Sequence, residues 1–126
     1  MRYCYMILWN LKDKKGKQRK GYACFSVQEK MHDWVIGASF CSPNDRFKKD
    51  IARKIADGRN GQVALPKESF PPDPAIEAII LSSLPLFLEQ EIPTWFKKAL
   101  TAKRFTWTLK HDSNRDYFAK PQRMDG

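Results

Sequence analysis

The first forty residues of the chain hold three runs rich in aromatic and aliphatic side chains, separated by short polar connections. The runs cover residues 3–9, 22–27 and 34–40. Such runs between polar turns are typical of β-strands, and three of them with short connections favour an antiparallel meander. The first connection, at about 12–20, carries six positive side chains around Gly16. We expect it to be a flexible basic loop.

A helix start follows the third strand. Ser42 has the position of an N-cap, Pro43 fits the first helical position because its missing N–H costs nothing there, and Asp45 can complete a capping box. Gly58 fits the C′ position, where a left-handed residue ends a helix. The pattern predicts a helix over about 43–57. Its apolar stripe, which we expect to pack on the sheet, consists of Phe47, Ile51, Ala52, Ile55 and Ala56.

Two more helical segments and a late strand complete the predicted fold. The helices are expected at about 74–84 and 94–103, and residues 105–109 alternate between a threonine face and an apolar face, as a strand does. This order predicts an α+β fold, an antiparallel sheet with about three helices packed on one face. The length of 126 residues predicts a single domain, 1–126, with a polar C-terminal tail.

The net charge of +9 is unevenly distributed. Residues 1–59 have a net charge of +8, residues 60–91 of −4, and residues 92–126 of +5. A positive field over part of the surface favours anionic partners: nucleic acid, nucleotides, anionic lipid or acidic proteins.

Motifs for catalysis and metal binding are missing from the sequence. The two histidines, His32 and His111, are isolated, and the chain contains no Cys-x-x-Cys, no Gly-x-Ser-x-Gly and no Walker loop. We therefore expect no enzymatic activity, no catalytic residues, no metal and no cofactor. The three scattered cysteines indicate buried thiols in a reducing compartment. No apolar run is long enough for a membrane helix and no signal peptide is recognised, so the expected location is the cytoplasm.

With no motif for catalysis, we expect the protein to bind a ligand, and arginine and aromatic side chains are the candidate binding residues. Arginine binds phosphate with two parallel hydrogen bonds, and aromatic rings stack on nucleobases. The candidate phosphate ligands are Arg46, Arg53, Arg59, Arg104 and Arg115. The candidate stacking rings are Trp107 and Phe118. A nucleic-acid-binding accessory protein is the alternative, with the basic loop and the basic face of the first helix on a phosphate backbone.

The segment from Phe40 to Arg59 contains Cys-x-Pro-x-Asp-x-Phe followed by Ala-x-Gly-Arg. It resembles the pattern of small phage proteins that act as sponges against the Thoeris bacterial defence. The resemblance implies an immune-evasion protein that sequesters cyclic ADP-ribose isomers, and cyclic oligonucleotides at a second site, without cleaving them. It also implies dimers that build hexamers in the host cytoplasm, with Asn44 or Asn114 bonding a ribose.

Overall fold

The fold is built from one sheet and three helices. The structure, a computed structural model, describes residues 1–110, with the backbone alone at 109 and 110. The strands are β1 (Arg2–Lys12), β2 (Gln18–Glu29), β3 (Asp33–Cys41), β4 (Val63–Pro66) and β5 (Phe105–Lys110). The helices are α1 (Lys49–Gly58), α2 (Ile76–Leu88) and α3 (Thr94–Thr101), with a single 3₁₀ turn at Lys67–Ser69. The predicted polar tail lies outside the described residues.

All five strands form one antiparallel sheet in the order β4-β3-β2-β1-β5. The predicted α+β class, the N-terminal meander and the late strand are therefore confirmed. The strand β4 was not predicted, because its four residues, Val63–Pro66, are too few to show a periodic pattern. The late strand β5 pairs with β1, so the N-terminal strand lies inside the sheet.

Helices cover both faces of the sheet, so the prediction of helices on one face was wrong. Alternate residues of β1 separate the two layers: Cys4 and Met6 belong to the larger core under α2 and α3, whereas Tyr3 and Tyr5 belong to a smaller cluster with α1. The larger core also contains Phe25 and many aliphatic side chains. The period of two along each strand thus divides the apolar residues between two helical layers.

Helix α1 lies very close to β2 and β3. Its buried residues are Ala52 and Ala56, whose carbonyl oxygens accept hydrogen bonds from the hydroxyls of Ser39 (2.7 Å) and Ser26 (2.8 Å). A Cβ on Gly37 would collide with the carbonyl oxygen of Ala56 and would lie 2.5 Å from the nitrogen of Asn60. This close approach leaves room only for small side chains between helix and sheet.

The predicted apolar stripe of α1 is correspondingly wrong in part. The two alanines face the sheet, but Ile51 is 52% exposed and Ile55 is 41% exposed. An isoleucine has too much volume for the gap that Gly37 and the two serine hydroxyls define. The larger side chains therefore lie at the outer edge of the helix.

The start of α1 also differs from the prediction. Helix α1 begins at Lys49, and Ser42 caps a separate turn before it. The Ser42 hydroxyl accepts a hydrogen bond from the backbone N–H of Asn44 (3.1 Å) and donates one to the carboxylate of Asp45 (3.0 Å). Phe47 explains the delay, because its ring stacks on Tyr22 and holds the intervening segment against the sheet. At the other end, Gly58 is the last helical residue and has no positive φ, so it is not a left-handed cap.

Helix α2 extends further than predicted and passes through Pro85. Proline in a helix removes the N–H that would bond the carbonyl four residues earlier, that of Leu81. Both residues lie on the exposed side of α2, where water can bond that carbonyl. Among residues 1–110, no helix is long and apolar enough to cross a membrane.

The tight contact between α1 and the sheet predicts a large effect of Gly37→Ala. The added methyl group would overlap backbone atoms of Ala56, Arg59 and Asn60. Backbone atoms cannot move aside as a flexible side chain can. We expect the free energy of unfolding to fall by about 3 kcal/mol, at the upper end of the cost of overpacking. Urea unfolding followed by circular dichroism measures this change.

Gly58→Ala is the matched control, because a Cβ at Gly58 meets no atom within 4 Å. Alanine is the better helix former, so this variant should gain up to about 1 kcal/mol. Equal effects of the two substitutions would contradict the close packing of α1 on β3.

Candidate functional site

The turn between β3 and α1 (residues 42–48) lies against the hairpin that joins β1 and β2. The side-chain oxygen of Asn44 accepts a hydrogen bond from the backbone N–H of Lys14, with a distance of 2.7 Å. This bond joins residues thirty positions apart in the sequence. It brings the basic hairpin next to the turn that carries Arg46.

The hairpin loop is organised around Asp13. Its carboxylate accepts hydrogen bonds from the backbone N–H groups of Lys15 (2.9 Å) and Lys17 (3.0 Å) and forms an ion pair with Arg19 (3.2 Å). Desolvation alone would raise the pKa of Asp13, but these N–H bonds and cations outweigh it and hold the pKa below its usual value. The strands extend to Lys12 and resume at Gln18, so the loop is shorter than the predicted 12–20.

A shallow groove runs between the end of β3 and the outer edge of α1, and we call it the helix groove. Its volume is about 180 Å³. Its lining is mainly apolar, from Phe40, Phe47, Ile51 and Ile55, with the exposed cations Arg46 and Lys48 at the rim. The other lining residues are Ser39, Cys41, Asp45 and Ala52.

A second groove of about 290 Å³, the hairpin groove, lies on the other side of the turn. It is lined by Asp13, Lys14, Lys15, Arg19, Asn44 and Asp45. Because Asp45 lines both grooves, they adjoin. Five cations surround them, against two carboxylates of which one is paired with Arg19. The adjoining grooves form the candidate site.

Aromatic rings support the base of the helix groove. The ring of Phe47 stacks on Tyr22 with a centroid distance of 4.3 Å and meets Tyr5 edge-on at 6.2 Å. Beside it, the Cys41 thiol is directed at the carbonyl oxygens of Ser42 (3.8 Å) and Asp45 (3.7 Å). Partial burial, together with the Asp45 charge, raises the pKa of Cys41 above its usual value.

Two predicted arginines, Arg53 on α1 and Arg59 directly after it, line neither groove. Arg53 extends towards β1, where its guanidinium lies 5.6 Å from the centre of the Tyr3 ring and 3.2 Å from the carboxylate of Asp50. Arg59 donates to the carbonyl oxygen of Ala38 at 3.1 Å, at the C-terminal end of the helix. Both side chains already have structural partners.

Of the remaining predicted residues, the structure describes Arg104 and Trp107, and neither lies at the candidate site. Arg104 is exposed between α3 and β5 and lines neither groove. Trp107 is only 8% exposed and packs near Phe25 in the larger core, so its ring offers no open face to a base. Asn114, Arg115 and Phe118 lie outside the described residues.

The structure adds residues that the sequence did not include among the candidate nucleotide ligands, chiefly Lys14, Lys15, Arg19 and Lys48. The sequence predicted a flexible basic loop there and considered it only for the alternative function, the binding of nucleic acid. Only the Asn44 bond, which depends on the packing of two distant turns, places that loop beside Arg46. No local sequence signal indicates this proximity.

The described residues contain no group of three or more His, Cys, Asp or Glu side chains that could hold a metal ion. A scan against protein-family models finds no match, and searches of curated proteins and of solved structures find none either.

The burial of the thiols predicts that Cys41 reacts first with an alkylating reagent. Burial raises the pKa of Cys24 to about 12 and also raises that of Cys4, whereas Cys41 is half-exposed. In the folded protein at about pH 8 we expect iodoacetamide to modify Cys41 alone. The rate should still rise about tenfold per pH unit near pH 8, because the raised pKa keeps the thiol mostly protonated.

Mass spectrometry of the intact protein and of its peptides measures this reaction. Cys41→Ser is the control and should remove the fast modification. Rapid labelling of Cys4 or Cys24 without denaturant would contradict the described packing.

Proposed function

We propose that the protein binds a cyclic nucleotide at the two adjoining grooves and sequesters it without cleaving it. The observation that carries this proposal is the arrangement of an apolar groove with a cationic rim directly beside a second groove that carries three more cations. Nucleotides combine an apolar base with anionic phosphates, so they need both kinds of surface at once.

The sizes of the grooves favour a ligand that uses both. Small-molecule pockets usually measure roughly 300–1,000 Å³. The helix groove is smaller than this range, at about 180 Å³, and the hairpin groove, at about 290 Å³, is at its lower end. A dinucleotide-sized ligand would place its base against Ile51 and Ile55 and its phosphates beside Arg46 and the hairpin cations.

The resemblance of residues 40–59 to Thoeris anti-defence sponges supports the same site. Cys41, Asp45 and Phe47, three positions of that pattern, line the helix groove. Under this proposal the ligands are cyclic ADP-ribose isomers, with cyclic oligonucleotides at a second site. The protein acts in the host cytoplasm as a homo-oligomer, either a dimer or a hexamer.

Sequestration rather than catalysis fits the chemistry of the grooves. The side chains that line them are cations, two carboxylates, amide and hydroxyl groups, aliphatic and aromatic residues, and one thiol. That thiol has a raised pKa and is therefore a weak nucleophile at neutral pH. We propose that the ligand is released unchanged and that the protein is not an enzyme.

Calorimetric titration with cyclic ADP-ribose isomers tests the proposal. We expect saturable binding in the micromolar range or tighter, which corresponds to about −8 kcal/mol or better. Chromatography of the recovered ligand should show no conversion. A bound nucleotide should also protect Cys41 from alkylation, because that thiol lines the helix groove.

Arg46→Ala is expected to weaken nucleotide binding about tenfold or more, since it removes a charged donor at the rim of the helix groove. Arg104→Ala is the matched control: this arginine is also exposed but lines neither groove, so affinity should stay within about twofold. A loss in the control and none in Arg46→Ala would contradict the proposed location.

A short DNA duplex distinguishes the alternative function, a nucleic-acid-binding accessory protein. Five cations around the grooves would suit a phosphate backbone, and each phosphate contact releases counterions. Affinity for DNA would then fall steeply with salt. Salt-sensitive DNA binding together with no heat from any nucleotide would replace our proposal with this alternative.

A further inference from the structure

Asp45 lies where the helix groove and the hairpin groove meet, and it lines both of them. Its side chain is exposed, and one carboxylate oxygen, Oδ2, accepts a hydrogen bond from the Ser42 hydroxyl at 3.0 Å. Within residues 1–110 the other oxygen, Oδ1, has neither a hydrogen bond nor an ion pair. The junction of the two grooves therefore offers an open, negatively charged acceptor.

This carboxylate is the exception among the charges of the candidate site. Five cations surround the grooves, and the other carboxylate that lines them, that of Asp13, is bonded to Arg19 and to the hairpin backbone. Because the charge of Asp45 opposes the cations, it weakens the attraction of the site for every anion. An acceptor at this place suits a neutral hydrogen-bond donor instead.

The covalent order of a nucleotide determines which of its parts reaches the junction. Under the proposed function the base packs against Ile51 and Ile55, and the phosphates lie beside the cations of the hairpin groove. In a nucleotide the ribose connects the base to the phosphate. The ribose then spans the junction, where its hydroxyl groups are donors that the Asp45 carboxylate can accept.

Asn44 complements Asp45 at the hairpin side of the junction. Its side-chain oxygen is bonded to the backbone N–H of Lys14, which leaves its amide NH₂ group to donate. A hydroxyl group both donates and accepts, so a ribose can bond both neighbouring side chains. A phosphate group could accept from Asn44, but it would meet a like charge at Asp45.

We propose that Asp45 determines which anions the site accepts: it holds a ribose hydroxyl at the junction of the two grooves and excludes phosphate from that place. This inference rests on the proposed function and narrows the ligand class to nucleotides whose ribose keeps a free hydroxyl. Nucleic acid carries a phosphate at every nucleotide, so a backbone that followed both grooves would bring one to Asp45. Repulsion of this kind is a common means of rejecting a wrong partner.

Asp45→Asn tests the proposal, because asparagine keeps the size and the acceptor for Ser42 but removes the charge. Calorimetric titrations with cyclic ADP-ribose and with a short DNA duplex are carried out at one low salt concentration. We expect the variant to bind the nucleotide about tenfold more weakly, since a hydrogen bond to a charged acceptor is replaced by one to a neutral acceptor. It should bind the duplex about fivefold more tightly, because the repelling charge is gone.

Glu68→Gln is the matched control, because it removes the same charge from an exposed side chain at the other end of the sheet. Glu68 follows Pro66, which pairs with the first residue of β3, whereas the helix groove is lined by the last residues of that strand, Phe40 and Cys41. Both affinities should stay within about twofold of those of the unmodified protein.

The thiol of Cys41 reports the position of the Asp45 charge without any ligand. Partial burial raises the pKa of Cys41, and the Asp45 charge raises it further. Asp45→Asn should therefore lower this pKa and speed the reaction with iodoacetamide about twofold or more at about pH 8, whereas Glu68→Gln should not. An unchanged rate in Asp45→Asn would overturn the proposal, because the carboxylate would then lie elsewhere.

The titrations separate failure of this inference from failure of the proposed function. If the unmodified protein binds no nucleotide, the proposed function fails and the inference fails with it. If it binds the nucleotide and Asp45→Asn strengthens both ligands, or changes neither, the role of Asp45 alone is overturned. Opposite changes for the nucleotide and the duplex, absent from Glu68→Gln, support it. Thermal unfolding checks that the variants keep the fold, as expected at exposed positions.

Discussion

Helix α1 lies so close to strand β3 that no side chain fits between the carbonyl oxygen of Ala56 and the Cα atom of Gly37. Two serine hydroxyls of the sheet bond the carbonyls of the same helix and fix this distance. Small residues must then face the sheet, and Ile51 and Ile55 are turned outward. The apolar wall of the helix groove, which Ile51 and Ile55 form, follows from this one contact.

A single hydrogen bond determines where the cations of two distant segments meet. Asn44 accepts from the backbone of Lys14 and thereby joins the hairpin to the turn before α1. Cations from two distant parts of the chain then surround adjoining grooves. Five of the fourteen basic side chains of residues 1–59 therefore surround one place, as a discrete anion site requires.

The sheet separates the basic helix α1 from the helix α2. Strand β4 lies at the edge of the sheet beyond β3, and α2 then crosses to the face opposite α1. The helices α1 and α2 consequently lie on opposite sides of the sheet.

The sequence alone determined the α+β class, the three-stranded meander and the late strand, because these depend on local periodicity and short connections. It also determined where charge accumulates along the chain. It did not determine that Trp107 is core while Arg46 lines a groove, or that the Ser42 cap belongs to a turn and not to a helix. Those outcomes depend on contacts between residues far apart in sequence, such as Phe47 on Tyr22 and Asn44 on Lys14. Only tertiary packing decides such contacts, since no local pattern records the distance between two segments once the chain has folded.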